Sequence, residues 1–334
     1  VSARNETRER SSDRRNRRVT IWIASFVITL VGLAAQPPDD LPQPGTTKRK
    51  MEIRAAGFRR TYLLHVPEGY DGTARPLVVV IHGAFSGAKE MEERSGFSRL
   101  ADREGFITVY PNGIGFFGLL RHWNSGHCCG KARKDDIDDV GFIEAVIDEV
   151  AAGLEVDRER VYLVGHSNGG MLAYRIAAEK PDLVAAVAPV AATIGGKPSG
   201  KEPEWVIPEP LAPVPMIVVH GDADENVPYD GGTGGQTKGK MISIPVRRSI
   251  EFWVRANGCE SDPAVEQVDS GGVTRETWAG CARASSVELL SLDGWGHDWP
   301  GPYFTTKLPE DSPLHGFDAA ELIWEFLRQH RRDR

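Results

Sequence analysis

The chain has 334 residues, of which 40% are hydrophobic and 26% charged, an ordinary globular balance with room for one large domain or two small ones. Residues 1–18 carry seven arginines against three acids, so removing the first 35 residues deepens the formal charge of −7 by four, to −11. A surface of that sign repels nucleic acid and anionic lipid, and both are excluded as partners.

The first 35 residues differ from the rest. The basic stretch ends in Arg17-Arg18, residues 19–35 are apolar and uncharged, and the run closes on small residues. This is the layout of a secretory signal cleaved near Ala34 or Ala35, which would leave the protein secreted or periplasmic. The alternative is an uncleaved membrane anchor, although 17 residues is short for a span. Residues 36–50 hold four prolines and no apolar run, and read as an extended linker. A single catalytic domain is expected over 51–334.

Strands are expected at 58–66 and 77–81, the second a continuous apolar run of the kind buried on both faces. A helix follows at 89–103 and a strand at 106–110. Residues 111–138 read as one long loop containing Phe116-Phe117, Trp123-Asn124 and Cys128-Cys129. Its acidic end, Asp135 to Asp139, resembles a calcium loop only in composition, and capping of the following helix (139–154) is the preferred reading. Later strands are expected at 160–164, 183–190, 216–220, 273–278 and 287–292, with helices at 171–178, 244–256 and 317–330. Strands alternating with helices imply an α/β fold with a mostly parallel sheet flanked by helices.

At the centre of this pattern the strand at 160–164 runs into Gly165-His166-Ser167-Asn168-Gly169 and then a helix. That is the strand–turn–helix context in which G-x-S-x-G forms a nucleophile elbow, with the serine lifted to the N-terminus of a helix. Ser167 is therefore the candidate nucleophile. It needs a base, and the base needs an orienting carboxylate. The loop after 216–220 offers Asp222 and Asp224; Asp224 lies farther out and is preferred, with Asp222 as a turn aspartate. The loop after 287–292 offers His297 among glycines. The oxyanion formed on attack requires backbone N–H donors. These are assigned to Asn168 and to Ala84 in the loop after 77–81, with Phe85 as second choice.

Aromatic residues on these loops, Phe85, Phe116, Phe117, Trp123, Trp295 and Trp299, are expected to wall the mouth of the site. No cofactor and no metal is expected. Four cysteines in an exported protein suggest disulfides: Cys259 with Cys281, and Cys128 with Cys129 either bridged or as thiols.

Taken in order, Tyr62-Leu63-Leu64-His65-Val66-Pro67-Glu68-Gly69-Tyr70, His82-Gly83, Tyr110-Pro111-Asn112-Gly113, Trp123-Asn124 and Asp138-Asp139-Val140-Gly141-Phe142 form a recognisable series. The elbow, the Asp224 loop, Asn257-Gly258-Cys259 and Gly296-His297-Asp298-Trp299-Pro300-Gly301 continue it. Together they resemble the esterase family of polyhydroxybutyrate depolymerases and feruloyl or acetylxylan esterases, over residues from about 52 to 327. The resemblance implies an α/β-hydrolase fold, ester hydrolysis through an acyl-enzyme, and Ser167, Asp224 and His297 as the triad. Trp295 stands where such enzymes often have glycine, which would narrow the mouth. A serine peptidase on the same fold, or a non-catalytic binding protein on a hydrolase scaffold, is the alternative function.

Overall fold

The computed structural model describes residues 43–52, 59–116, 119–235, 241–268 and 271–332. The expected secretory segment lies outside them, as does Phe117. In chain order the first elements are β1 (Gly45–Glu52), β2 (Arg59–Val66), β3 (Arg75–Ile81), α1 (Ala88–Ser95), α2 (Phe97–Glu104) and β4 (Ile107–Pro111). A hairpin of β5 (Ile114–Phe116) and β6 (Leu119–His122) follows, then α3 (Gly130–Lys134), α4 (Asp139–Gly153), β7 (Val156–His166), α5 (Asn168–Glu179) and β8 (Ala186–Val190). The second half contains β9 (Gly195–Lys197), β10 (Trp205–Val206), β11 (Met216–Gly221), β12 (Gly232–Thr233), β13 (Ile242–Ser243) and α6 (Val246–Ala256). It ends with β14 (Ala264–Val268), β15 (Val273–Trp278), β16 (Val287–Leu292), α7 (Pro302–Thr305) and α8 (Ala319–Leu327).

Ten strands form one sheet in the order β1-β2-β4-β3-β7-β8-β11-β16-β15-β14. The six central strands, β4 to β16, are parallel, and antiparallel pairs close each edge. Alternation explains why inner stretches such as 77–81 of β3 and 161–164 of β7 are apolar at successive positions. On β3, Leu77, Val79 and Ile81 join the core beneath α4, α5 and α6, while Val78 and Val80 join the core beneath α1, α2 and α8. On β7, Val161 and Leu163 take the first side and Tyr162 and Val164 the second. Helices on both faces leave little room for water, so polar residues such as Thr108 and His220 are few in the buried parts of these strands.

Three expectations need correction. Residues 45–50, expected as linker, are paired edge to edge with β2, so the ordered domain begins before residue 51. The helix expected over 89–103 is two helices broken at Gly96, whose φ of 73° is a left-handed cap that residues with a Cβ adopt at a cost. The long loop 111–138 holds a hairpin and a short helix, and is anchored from below. Asp138 caps α4 through the Gly141 N–H at 2.8 Å, as preferred over a calcium loop. Asp139 is buried, pairs with buried Arg60 at 2.8 Å and accepts the Asn124 N–H at 2.7 Å. Cys259 is bonded to Cys281, and Cys128 to its neighbour Cys129.

Candidate active site

Parallel register decides what can meet above the sheet. Ile81 of β3 pairs with Gly165 of β7, and Gly221 of β11 pairs with Leu292 of β16. The four loops leaving the carboxyl ends of these strands therefore start side by side, the usual place for a site in an open α/β sheet. The second and third are linked through β8, which pairs with both β7 and β11.

The turn after β7 is as tight as the glycines suggest. Ser167 sits at φ 53° and ψ −121°, a strained backbone for a residue with a side chain. A Cβ on Gly165 would lie 2.3 Å from the Gly169 oxygen, and one on Gly169 would lie 2.3 Å from the Ile81 oxygen. Only hydrogen fits at either position, because the elbow folds back on itself and presses on the end of β3. The strain sets the Ser167 hydroxyl 2.9 Å from His297 Nε2. The Nδ1–H of His297 donates to Asp224 Oδ2 at 2.7 Å.

Asp224 is buried and held from several sides. Its Oδ1 accepts the N–H groups of Asn226 and Val227, and the loop is braced by His220, whose Nε2–H donates to the Val227 carbonyl at 2.9 Å. Burial alone would raise its pKa. Hydrogen bonds from His220 and His297, the charge interaction with His297 and the Val227 N–H outweigh it and hold the carboxyl below the usual range. Asp222 instead accepts the exposed Gly294 N–H at 2.8 Å, tying the two loops together as a turn aspartate does.

The loop after β3 meets the elbow from the other side. His82 is fully buried; its Nδ1–H donates to the Gly83 carbonyl and its Nε2 accepts the Gly113 N–H. Burial pushes its pKa down to about 3, so it remains the neutral ring this pattern requires. The Phe85 N–H is used by the Arg121 carbonyl at 2.8 Å, which removes the second choice for an oxyanion donor. The N–H groups of Ala84 and Asn168 donate in none of the hydrogen bonds among the described residues. Ala84 lines the same cavity as Ser167, and Asn168 opens α5 directly after it.

That cavity has a volume of about 550 Å3 and includes Ser167 and His297 in its wall. Phe85, Met171, Val227 and Met241 supply apolar surface; His122, His127 and Arg133 supply the polar part. Arg133 is ion-paired with Glu202, so its charge is already balanced. Of the rings expected at the mouth, Phe85 is there and exposed. Trp123, Trp295 and Trp299 are buried and absent from the wall, a correction with a physical cause in each case. Trp123 is sealed between sheet and elbow, donating from Nε1 to the His82 carbonyl. Trp295 donates to the Asp298 carbonyl, and Trp299 packs edge-on against Phe97 and His166. The side chain of Phe116 lies outside the described set.

Two positioning roles escape a reading of the sequence, those of the His166 and Asn168 side chains. His166, the residue before the serine, bonds through Nε2 to the His297 carbonyl at 2.7 Å and so clasps the base loop to the elbow. Burial pushes its pKa down to about 3, so Nε2 is the N–H of a neutral ring. The Asn168 side chain accepts the Trp123 N–H and donates to the Trp123 carbonyl, joining the elbow to the loop after β6. Cys128 and Cys129 line the cavity beside Met171. A histidine inside the motif was the one visible signal. No group of three or more His, Cys, Asp or Glu side chains among the described residues is arranged to hold a metal ion.

Residues 60–199 match a family described as esterase PHB depolymerase. NocK of Nocardia uniformis subsp. tsuyamanensis, an esterase by name, is 32% identical over 282 residues, covering 80% of this chain and 78% of that one. Feruloyl esterase B of Piromyces equi is 29% identical over 71% of this chain, which spans only 42% of that protein. Feruloyl esterase C of Emericella nidulans is 26% identical over 86% of this chain and 92% of its own length. Among solved structures, an acetyl xylan esterase from Aspergillus awamori superposes with a TM-score of 0.55 at 14% identity, over 84% of this chain and 99% of that one, a likeness of fold.

Proposed function

The chain belongs to the esterase PHB depolymerase family, and on that premise we propose that it is an exported serine esterase acting on neutral carboxylic esters through an acyl-enzyme. The observation that carries the reading is the unbroken relay from Ser167 Oγ through His297 to Asp224 in the wall of an open cavity.

In this mechanism His297 Nε2 takes the Ser167 proton as Oγ adds to the ester carbonyl. The N–H groups of Ala84 and Asn168 receive the oxyanion, aided by the N-terminus of α5. The intermediate collapses, the alcohol leaves with the proton from His297, and Oγ keeps the acyl group. His297 then deprotonates water, which attacks the acyl carbonyl and regenerates Ser167. Asp224 holds the ring in the tautomer with hydrogen on Nδ1 and stabilises the imidazolium formed in both halves.

The cavity wall supports the choice of substrate. Apolar side chains beside Ser167 and a compensated Arg133 favour an uncharged acyl group of short chain or phenolic type. Export is supported by the basic and apolar N-terminal pattern and by the Cys259–Cys281 bridge, which persists in oxidising compartments.

The test is relative kcat/KM on p-nitrophenyl acetate, methyl ferulate, acetylated xylan, a hydroxybutyrate trimer, a long-chain triglyceride and a peptide amide. Clear activity on at least one of the first four, with little on the last two, is the expected result. Preference for the triglyceride or the amide would overturn it.

A further inference from the structure

Asp224 faces two histidines, and only His297 belongs to the relay. The other, His220, stands near the end of β11 in register with Ser291 of β16, the strand that leads to His297. Its side chain, like that of Asp224, has no exposed surface. Nε2 lies 2.9 Å from the Val227 carbonyl and 3.4 Å from Asp224 Oδ2. Both are acceptors, so the hydrogen is on Nε2. Nδ1 is buried with no hydrogen-bond partner among the described residues, so the ring's polar contacts all point toward the acid loop. Tyr229 packs edge-on against the ring at 5.8 Å and is itself bonded to Ser291, which fixes the plane of the imidazole.

The consequence falls on the carboxylate. Oδ1 is occupied by the N–H groups of Asn226 and Val227, so Oδ2 alone serves His297. A second N–H close to that oxygen draws on the same electron density as the His297 Nδ1–H. It steadies the anion, and thereby weakens the carboxylate as a partner for the imidazolium formed in both halves of the reaction. Bracing the loop would need the Val227 contact alone; the approach to Oδ2 adds this second effect.

Building on the esterase reading above, we propose that His220 is a positioning residue for the reaction: its Nε2–H shares Asp224 Oδ2 with His297 and sets how strongly the acid holds the protonated base. Loss of that N–H and loss of loop order act with opposite sign. Without the N–H, Asp224 is the stronger acceptor and His297 protonates at higher pH. A merely loosened acid loop would stabilise the imidazolium less, and His297 would protonate at lower pH. The neighbouring groups leave this readout clear. His166, whose ring lies 5.2 Å from that of His297, is held by burial at about 3, and burial raises Tyr229. Asp222 is exposed and tied to the Gly294 N–H, and Arg94, the cation acting on His166, is paired with Glu90.

The test is the acid limb of the pH profile of kcat/KM on p-nitrophenyl acetate. His220→Phe keeps a ring against Tyr229 and removes the N–H. The limb should move up by about half a pH unit or more, a roughly threefold or greater rise in proton affinity. His220→Gln, which returns an N–H near the Nε2 position, should undo most of that shift. An unmoved limb, a limb moved to lower pH, or a Gln variant indistinguishable from Phe overturns the proposal. NMR of protein labelled with 15N-histidine reads the His297 titration without substrate, and its midpoint must move the same way. In the wild-type spectra the His220 hydrogen must be on Nε2. Hydrogen on Nδ1 with a bare Nε2 overturns the proposal even where no substituted chain folds. A wild-type enzyme inert on every ester would instead fail the esterase reading, while the NMR titration still decides the role of His220.

Discussion

Removing the Asn168 side chain should cost stability far more than catalysis. Its amide accepts the Trp123 N–H at 2.7 Å and donates to the Trp123 carbonyl at 3.1 Å, and all of these groups are buried. Asn168→Ala leaves the Trp123 N–H unpaired, while the Trp123 carbonyl keeps the Cys129 N–H at 3.0 Å. A buried polar group left unpaired costs about 1–3 kcal/mol, and that is the loss expected here. The backbone N–H assigned to the oxyanion survives the change. Urea unfolding with both disulfides intact should show a lower midpoint at constant m-value, while kcat falls by less than about tenfold. A loss below 1 kcal/mol would refute the claim that this side chain ties the elbow to the loop after β6. A fall in kcat as large as that of Ser167→Ala would refute the division between a backbone role in catalysis and a side-chain role in stability.

The two aspartates should separate cleanly. Asp224→Asn should lower kcat by roughly 10³–10⁴-fold through loss of the correct tautomer, whereas Asp222→Asn, which weakens one exposed bond to Gly294, should change it less than about fivefold; steady-state kinetics on p-nitrophenyl acetate decides, and the reverse ranking contradicts the geometry. Acid should weaken the fold through His82, which burial holds neutral with a pKa of about 3 while the unfolded chain titrates near 6.5. The unfolded state then binds the extra proton, so stability is full above about pH 6.5 and falls by about 1.4 kcal/mol per pH unit below it until the folded ring itself protonates. Buried His127, pushed down to about 4, and His166, down to about 3, add parallel losses; urea unfolding at pH 7 and 5 should show the drop, and His82→Gln should lessen it without removing it. Asp224 works in the same direction at lower pH, since its contribution is present above about pH 4 and lost beneath it.

How much of this was legible in the sequence depended on what each residue had to satisfy. Runs such as Leu77 to Ile81 declare a strand buried on both faces, because both cores take alternate residues from it. The choice of Asp224 over Asp222 followed from reach along a loop, and the geometry has that ordering. By contrast β1 was hidden, since Thr46, Thr47, Lys48, Arg49 and Lys50 carry no apolar signal. An edge strand needs none, because one side of its ladder is supplied by β2 and charge protects the other. The aromatic mouth was misjudged for a related reason. A tryptophan in a loop shows neither period nor side; Trp123 and Trp295 found hydrogen-bond partners inward, and Trp299 packs edge-on against Phe97 and His166. The true wall draws Met171 from α5, Val227 from the acid loop and Met241 from just before β13. Residues so far apart in sequence have nothing in common until the sheet brings them together.

The central claim is that Ser167 carries the acyl group, and covalent trapping tests it most directly. The enzyme would be incubated with a fluorophosphonate ester, its intact mass recorded, and the modified peptide mapped alongside residual activity on p-nitrophenyl acetate. One adduct per chain on Ser167, activity lost in step with labelling, and neither adduct nor activity in Ser167→Ala are the predicted results. An adduct on another residue, or a Ser167→Ala enzyme that retains a substantial part of its turnover, would contradict the account.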